Sequence, residues 1–160
     1  MSMTREELDA KLSGFDARME GRLINIERVT ELGGRTQQKG ALVVEGYLRG
    51  TFARRHPISF DCSITFEQSY GNIDGDSASV GELVSIISAL TGMPVRQELA
   101  VTGSFNQLGE VQAVGDVIEK VEGFFRVTAN ERAGGIRHGV ILPSANAHDL
   151  VLEDEVAAAV

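Results

Sequence analysis

The sequence has a single cysteine, Cys62, so no disulfide framework can form within the chain. That fits a reducing compartment. Positive charge is also scarce: 15 Lys and Arg stand against 23 Asp and Glu, a formal net charge of −8. Nucleic-acid affinity comes largely from clustered Lys and Arg, so this balance argues against a phosphate-binding surface. The basic cluster Arg54-Arg55-His56, before Pro57, reads as a solvated loop. No apolar run approaches the length of a membrane span, and no secretory signal precedes the first element. No Gly-x-x-x-x-Gly-Lys-[Ser/Thr] string occurs, so the chain carries no P-loop and is not expected to hydrolyse ATP unaided. One cysteine and the scattered histidines His56, His138 and His148 do not make a zinc ligand set or a Ser-His-Asp triad. Asp61, Asp74 and Asp76 could suggest a carboxylate pair for glycoside chemistry. Two of them lie in a turn, where aspartate is favoured for backbone hydrogen bonding, which speaks against that reading.

What is present suffices for one folded domain: 160 residues at 42% hydrophobic content, with 18 glycines dispersed among many turns. Thr4-Arg5-Glu6-Glu7 reads as a capping box followed by Leu8, Leu12, Phe15 and Met19 at helical spacing. This predicts a helical extension over residues 1–20, appended to a domain of residues 21–160. Leu23, Ile24 and Ile26 begin an extended segment closed by Glu31-Leu32-Gly33-Gly34. Ala41 to Leu48 and Ile58 to Phe66 are β-rich runs, the second alternating apolar and polar positions. Beyond Gly75-Asp76, the residues Val80, Leu83, Val84, Ile87 and Leu90 mark one face of a helix that Gly92 and Pro94 stop. Glu98 to Phe105 and Gly109 to Val114 read as strands, and Asp116 to Thr128 as a helix with Val117, Val121, Phe124 and Phe125 inward. Gly139 to Pro143 reads as a short buried strand, Ser144 as the cap of a brief helix and Leu150 to Leu152 as a last strand. This order predicts an α/β (α+β) domain, a mixed sheet with helices packed on it.

Two strings carry chemistry. Gly75-Asp76-Ser77-Ala78-Ser79 is a tight turn opening onto a helix, with a serine at the entry. A serine hydroxyl is a poor nucleophile near neutral pH and needs a base. Gly75 permits the turn, and small Ala78 and Ser79 leave the entrance uncrowded. Free backbone N–H groups there, at Ser77 and Ala78, can stabilise an oxyanion. The commoner role for a serine in such a place is a helix N-cap. The second string, Gly115-Asp116-Val117-Ile118-Glu119-Lys120, puts a lysine on the apolar stripe formed by Val117, Val121 and Phe124. Burial disfavours an ammonium and fits a lysine for general-base work. The bland alternative is a lysine that covers the stripe with its methylenes and returns its charge to water. Serine and lysine together are the parts of a Ser-Lys hydrolase. Cys62, in a strand pattern without an adjacent base, reads as core packing.

The chain resembles the proteolytic domain of the Lon proteases, particularly a Lon-like branch whose nucleophile lies in a Gly-Asp-Ser-Ala-Ser string. The resemblance runs from Arg22 to Leu152. It rests on Glu31-Leu32-Gly33-Gly34, Lys39-Gly40, Phe66-Glu67-Gln68-Ser69-Tyr70-Gly71, the Ser77 string, Val101-Thr102-Gly103-Ser104, Gly109-Glu110-Val111, Glu119-Lys120 and Val140-Ile141-Leu142-Pro143. It implies that Ser77 is the nucleophile, that Lys120 is the general base and that Thr102 helps position the lysine. Without the resemblance, Thr102 is an ordinary strand threonine. Asp74 and Asp76 flank the nucleophile, where the resemblance implies an influence on whether the site is open or blocked. Two departures bear on the groove and its electrostatics. Many Lon enzymes carry histidines where Ser63 and Thr65 stand here, and Asp116 occupies a place where a second glycine is usual.

The resemblance further implies protein or peptide substrates and a homo-oligomer, typically a hexameric ring with sites facing an enclosed chamber. It implies no cofactor or metal in this domain, with ATP and magnesium used by an ATPase region absent from this chain. No nucleic-acid or membrane partner is expected, and the expected location is the cytoplasm. Family members usually extend upstream and beyond Val160, so the chain reads as an excised catalytic domain. Met1 to Glu20 is then an upstream remnant or added sequence. Two other readings stand beside this one: a non-catalytic module keeping the Lon fold for assembly or binding, and a peptidase without an ATPase partner.

Overall fold

The computed structural model describes residues 21–52 and 60–159. The expected helix from Thr4 to Met19, the 1–20 extension, the Arg54-Arg55-His56 loop and the first two residues of the Ile58 to Phe66 run lie outside the described residues. The fold mixes helices and strands, as the order of patterns predicts.

β1 (Leu23–Asn25) runs directly into the short helix α1 (Ile26–Val29), whose first turn is capped by the Asn25 side chain accepting from the Arg28 N–H. β1 pairs in parallel with β2 (Cys62–Ile64). Between them lies the main departure from the sequence reading. Ala41 to Leu48 is not a strand but the middle of an 18-residue helix, α2 (Arg35–Phe52). Val43, Val44 and Tyr47 favour strands, but β-propensity yields to packing. The buried positions Gln37, Gly40, Ala41, Val44 and Leu48 recur at helical spacing and form one stripe. That stripe packs on α3 (Ser79–Thr91), and Val44, Leu48, Phe60, Ile86 and Phe105 make the core between them. Cys62 packs partly against this core, as read from its strand pattern.

α3 stops at Gly92 in the left-handed conformation, φ 66°, as its glycine predicts. Val80, Leu83, Ile87 and Leu90 turn toward the core. Val84 does not and is 39% exposed, because the buried stripe is centred on Ile86. The expected strand from Glu98 to Phe105 is two strands, β3 (Leu99–Val101) and β4 (Ser104–Phe105). They separate at Gly103, whose backbone groups bond the turn before α3 instead of a neighbouring strand. The Gly103 N–H donates to the Ser77 carbonyl (2.7 Å), and the Val80 N–H donates to the Gly103 carbonyl (3.1 Å). A Cβ at Gly103 would stand 2.9 Å from Val80 Cγ2, so glycine permits this approach.

β4 pairs antiparallel with β5 (Val111–Gln112), and β3 pairs in parallel with β6 (Gly139–Ile141). The strands thus form three two-stranded pairs among the described residues. β6 is half-buried rather than buried, with Ile141 54% exposed. α4 (Val117–Val127) buries Val117 and Val121 and half-buries Phe124 and Phe125, as its stripe predicts. α5 (Ala129–Ala133) follows. Ser144 opens a 3-10 turn, Ser144–Asp149, without a side-chain cap bond. The buried side chain there is Asn146, which clasps Val114 through both backbone groups, at 2.9 and 3.0 Å. The expected strand from Leu150 to Leu152 is absent; a short helix, α6 (Asp154–Ala157), follows and buries Val156. No helix among the described residues is long and apolar enough to cross a membrane.

Candidate active site

The segment Asp74 to Ser79 is tied down on both sides of Ser77. Asp74 Oδ1 accepts from the backbone N–H groups of Thr36 (3.0 Å), Gln37 (3.2 Å) and Gly75 (2.8 Å). It thereby caps the otherwise unsatisfied first turn of α2. The Gly75 hydrogen bond, followed by those from α2, holds the Asp74 carboxyl below its usual range. Gly75 takes φ 99°, which glycine allows without strain. Asp76 Oδ2 accepts from the Ser104 hydroxyl at 2.9 Å, and the Asp76 carbonyl accepts from the Ser79 N–H and hydroxyl. Neither carboxylate lines the cleft at Ser77. Both build the turn.

Ser77 itself is not a helix cap. The cap position belongs to Ala78, and no side chain bonds there. Among the described residues the Ser77 hydroxyl has no hydrogen-bond partner, and the Ser77 and Ala78 N–H groups have no acceptor. The Ser77 carbonyl, by contrast, is doubly held, by the Gly103 N–H and by the Thr102 hydroxyl at 3.3 Å. Among the described residues, the backbone of this serine is held at its carbonyl, while its side chain and the neighbouring donors are unpaired.

Thr102 thus touches the serine side of the site; its hydroxyl does not bond Lys120. Lys120 sits half-buried in the first turns of α4, and its Nζ donates to the Gly115 carbonyl at 2.8 Å. Among the described residues no hydrogen bond joins Nζ to Ser77. The two side chains nevertheless belong to one cleft of about 490 Å³, lined by Ser77, Ala78, Thr102 and Lys120 with an apolar wall of Ala100, Val101, Phe124 and Val140. A second groove of about 710 Å³ adjoins it at Ala78 and Val101 and continues past Phe66, Glu82, Arg96 and Leu99. The helix carrying Lys120 starts from Asp116, at φ 56° and ψ 36°. This left-handed conformation gives the physical reason that a glycine suits the position, and aspartate is among the residues that tolerate it.

A buried polar cluster next to the serine turn escapes sequence reasoning. Glu27 is 4% and Glu82 5% exposed. Glu82 Oε1 accepts from Gln37 Nε2 at 3.2 Å, and Gln37 Oε1 accepts from Asn25 Nδ2 at 3.1 Å. Glu27 Oε1 accepts from the Thr65 hydroxyl (2.8 Å) and the Phe66 N–H (2.7 Å). Thr65 therefore serves Glu27, while Ser63 is exposed on β2. Burial works to raise the Glu27 carboxyl, but the hydrogen bonds from Phe66 and Thr65 more than offset it and hold it low. Burial raises the Glu82 carboxyl, the Gln37 bond opposes this, and the charge on Glu27 adds to the rise. The available signal was a glutamate between Val80, Leu83 and Ile86, within an apolar helix.

A serine turn with a free hydroxyl, unused N–H groups and a lysine in the same cleft coincides with a sequence match. The model of the Lon protease (S16) C-terminal proteolytic domain matches residues 61–159. The chain belongs to the Lon protease family. A Lon protease homolog of Escherichia coli (strain K12) is 44% identical over 141 residues, covering 88% of this chain and 24% of that protein. An archaeal Lon protease of Halobacterium salinarum is 33% identical over 147 residues, covering 91% of this chain and 19% of that protein. One from Thermococcus kodakarensis is 29% identical over 150 residues, covering 94% and 22%. This Lon-family chain thus spans about a quarter or less of the length of these relatives.

Proposed function

We propose that the chain is the proteolytic domain of a Lon-like serine endopeptidase of the Gly-Asp-Ser-Ala-Ser branch, with Ser77 as nucleophile and Lys120 as general base. The observation that carries this reading is the shared cleft, lined both by Ser77, whose hydroxyl has no hydrogen-bond partner among the described residues, and by Lys120. Neutral Lys120 takes the Ser77 proton as Oγ forms a bond to the scissile carbonyl carbon. The carbonyl electron pair moves onto oxygen, toward the free N–H groups of Ser77 and Ala78. Collapse of the tetrahedral intermediate breaks the C–N bond, and the leaving amine takes the proton from Lys120. Water then gives a proton to Lys120 and attacks the acyl ester, freeing the acid and returning the proton to Ser77.

For this chemistry Nζ must leave the Gly115 carbonyl. The adjoining groove offers room for an extended peptide leading into the cleft. The whole protein is proposed to act in the cytoplasm as a ring, typically a hexamer, that degrades proteins in an enclosed chamber with ATP and magnesium. This chain has no phosphate-binding loop, so the nucleotide would be held elsewhere in the protein, and no step above uses it.

Ser77→Ala in the full chain is expected to abolish peptide cleavage, by at least about 10⁴-fold, with the fold unchanged. Cleavage near the parent rate would refute the nucleophile. Lys120→Arg is expected to be inactive too, since arginine stays protonated. The hydrogen bond from Nζ to Gly115 favours a second reading, a non-catalytic assembly or binding module. A fluorophosphonate probe separates the two: attachment at Ser77 supports the peptidase, and no attachment in the assembled protein supports the module.

A further inference from the structure

We propose that Glu82 is a positioning residue for the Ser77 turn and performs this task as a neutral carboxylic acid. The inference rests on the serine-lysine reading above. Glu82 lies in the first turn of α3, and its own N–H holds the Ala78 carbonyl at 2.9 Å. Its side chain continues the line Asn25–Gln37–Glu82 across β1, α2 and α3. This line runs beside the close approach of α2 to the serine turn, where a Cβ at Gly40 would stand 3.3 Å from Asp76 Cβ. Whatever displaces Glu82 displaces the entry of α3, and Ser77 with it.

The protonation state follows from the donors available. Glu27 and Glu82 each keep one carboxylate oxygen, Oε2, buried and without a partner. Among the described residues neither forms an ion pair with a lysine or arginine. Two neighbouring buried carboxylate charges, with no cation paired to either among the described residues, are strongly disfavoured, and a proton on one of them removes the conflict. Glu27 has two donors supporting its charge, whereas Glu82 has a single amide. The N-terminus of α3 favours an anion at Glu82, but one partial dipole does not replace the missing partners. The other ionisable groups on the groove that Glu82 lines, Glu67 and Arg96, are both exposed. The direction found for the carboxyl, upward through burial first, with the Glu27 charge adding to it, agrees. Ionised, Glu82 would repel Glu27 and draw water under the first turn of α3.

The test compares Glu82→Gln, which keeps shape and neutrality, with Glu82→Ala in the full chain, by peptide hydrolysis against pH and by thermal unfolding against pH. The glutamine variant is expected to remain active at neutral pH and to lose less of that activity than wild type on the alkaline side. The alanine variant is expected to lose at least about ten-fold, as small misplacements of a nucleophile do. An inactive glutamine variant that still folds would overturn the proposal, because the charge would then be what matters. So would an identical alkaline limb in wild type and Glu82→Gln. If the alanine variant does not fold, the glutamine variant decides alone. Failure of the serine-lysine reading shows separately, as cleavage surviving in Ser77→Ala. The unfolding curves still report on Glu82 in that case, since the gain of Glu82→Gln over wild type must grow as pH rises.

Discussion

Around Ser77 the chain uses hydrogen bonds from three elements: Gly103 and Thr102 on its carbonyl, Ser104 on Asp76, and the first turn of α2 on Asp74. Around Lys120 the supports are fewer: the Asn146 clasp on Val114, a left-handed Asp116 and the bond from Nζ to Gly115. The serine's backbone is thus over-determined. The lysine's amine is held at one point, and that point is a carbonyl it must leave to meet the serine. On the proposed chemistry, the serine side supplies preorganisation, and the lysine side decides when the site works.

Four experiments break or sharpen this contrast. The largest effect belongs to the chemistry itself: Ser77→Ala and Lys120→Arg should each remove cleavage while circular dichroism and thermal unfolding stay near wild type. Gly103→Ala tests the serine side. Its new methyl meets Val80, and the expected loss is about 1–3 kcal/mol of stability, read by denaturant unfolding, with weaker probe attachment at Ser77. An unaffected variant would show that the serine side tolerates more than its hydrogen bonds imply.

Asp74→Asn is expected to lower the melting temperature at neutral pH and to reduce the acid sensitivity of unfolding. The native carboxyl is held below its usual value, so its contribution is present above the unfolded value and lost as pH falls through the folded one. An unfolding profile against pH equal to wild type would remove Asp74 from that role. The smallest effect is expected on the lysine side. Asp116→Gly relieves a left-handed non-glycine residue at some entropic cost, for a net gain of up to about 1 kcal/mol in unfolding measurements.

The same contrast separates what was legible in the sequence from what was not. α3 and α4 could be read because their apolar residues recur at helical spacing and turn or glycine signals bound them. The place of Lys120 beside the apolar stripe of α4 could be read for the same reason. α2 could not, since Val43, Val44 and Tyr47 look like strand residues until the partner helix is known. The break at Gly103 was invisible for a related reason: its backbone groups bond a turn distant in the chain, and no local pattern announces that. Glu82 was the most readable omission. Lys120 was noticed as a charge among apolar neighbours, and the same test applied to α3 finds Glu82. Its proton and its partners, Gln37 and Glu27, still required the fold.

The links between Gly103 and the Ser77 turn run through peptide groups alone. Exchange of side chains along that segment, proline apart, therefore cannot sever them; it can only crowd them. A proline at 103 would delete one rung outright, and an inserted residue would slide both out of alignment. Length in this stretch, more than chemical identity, should be what the Ser77 turn tolerates least.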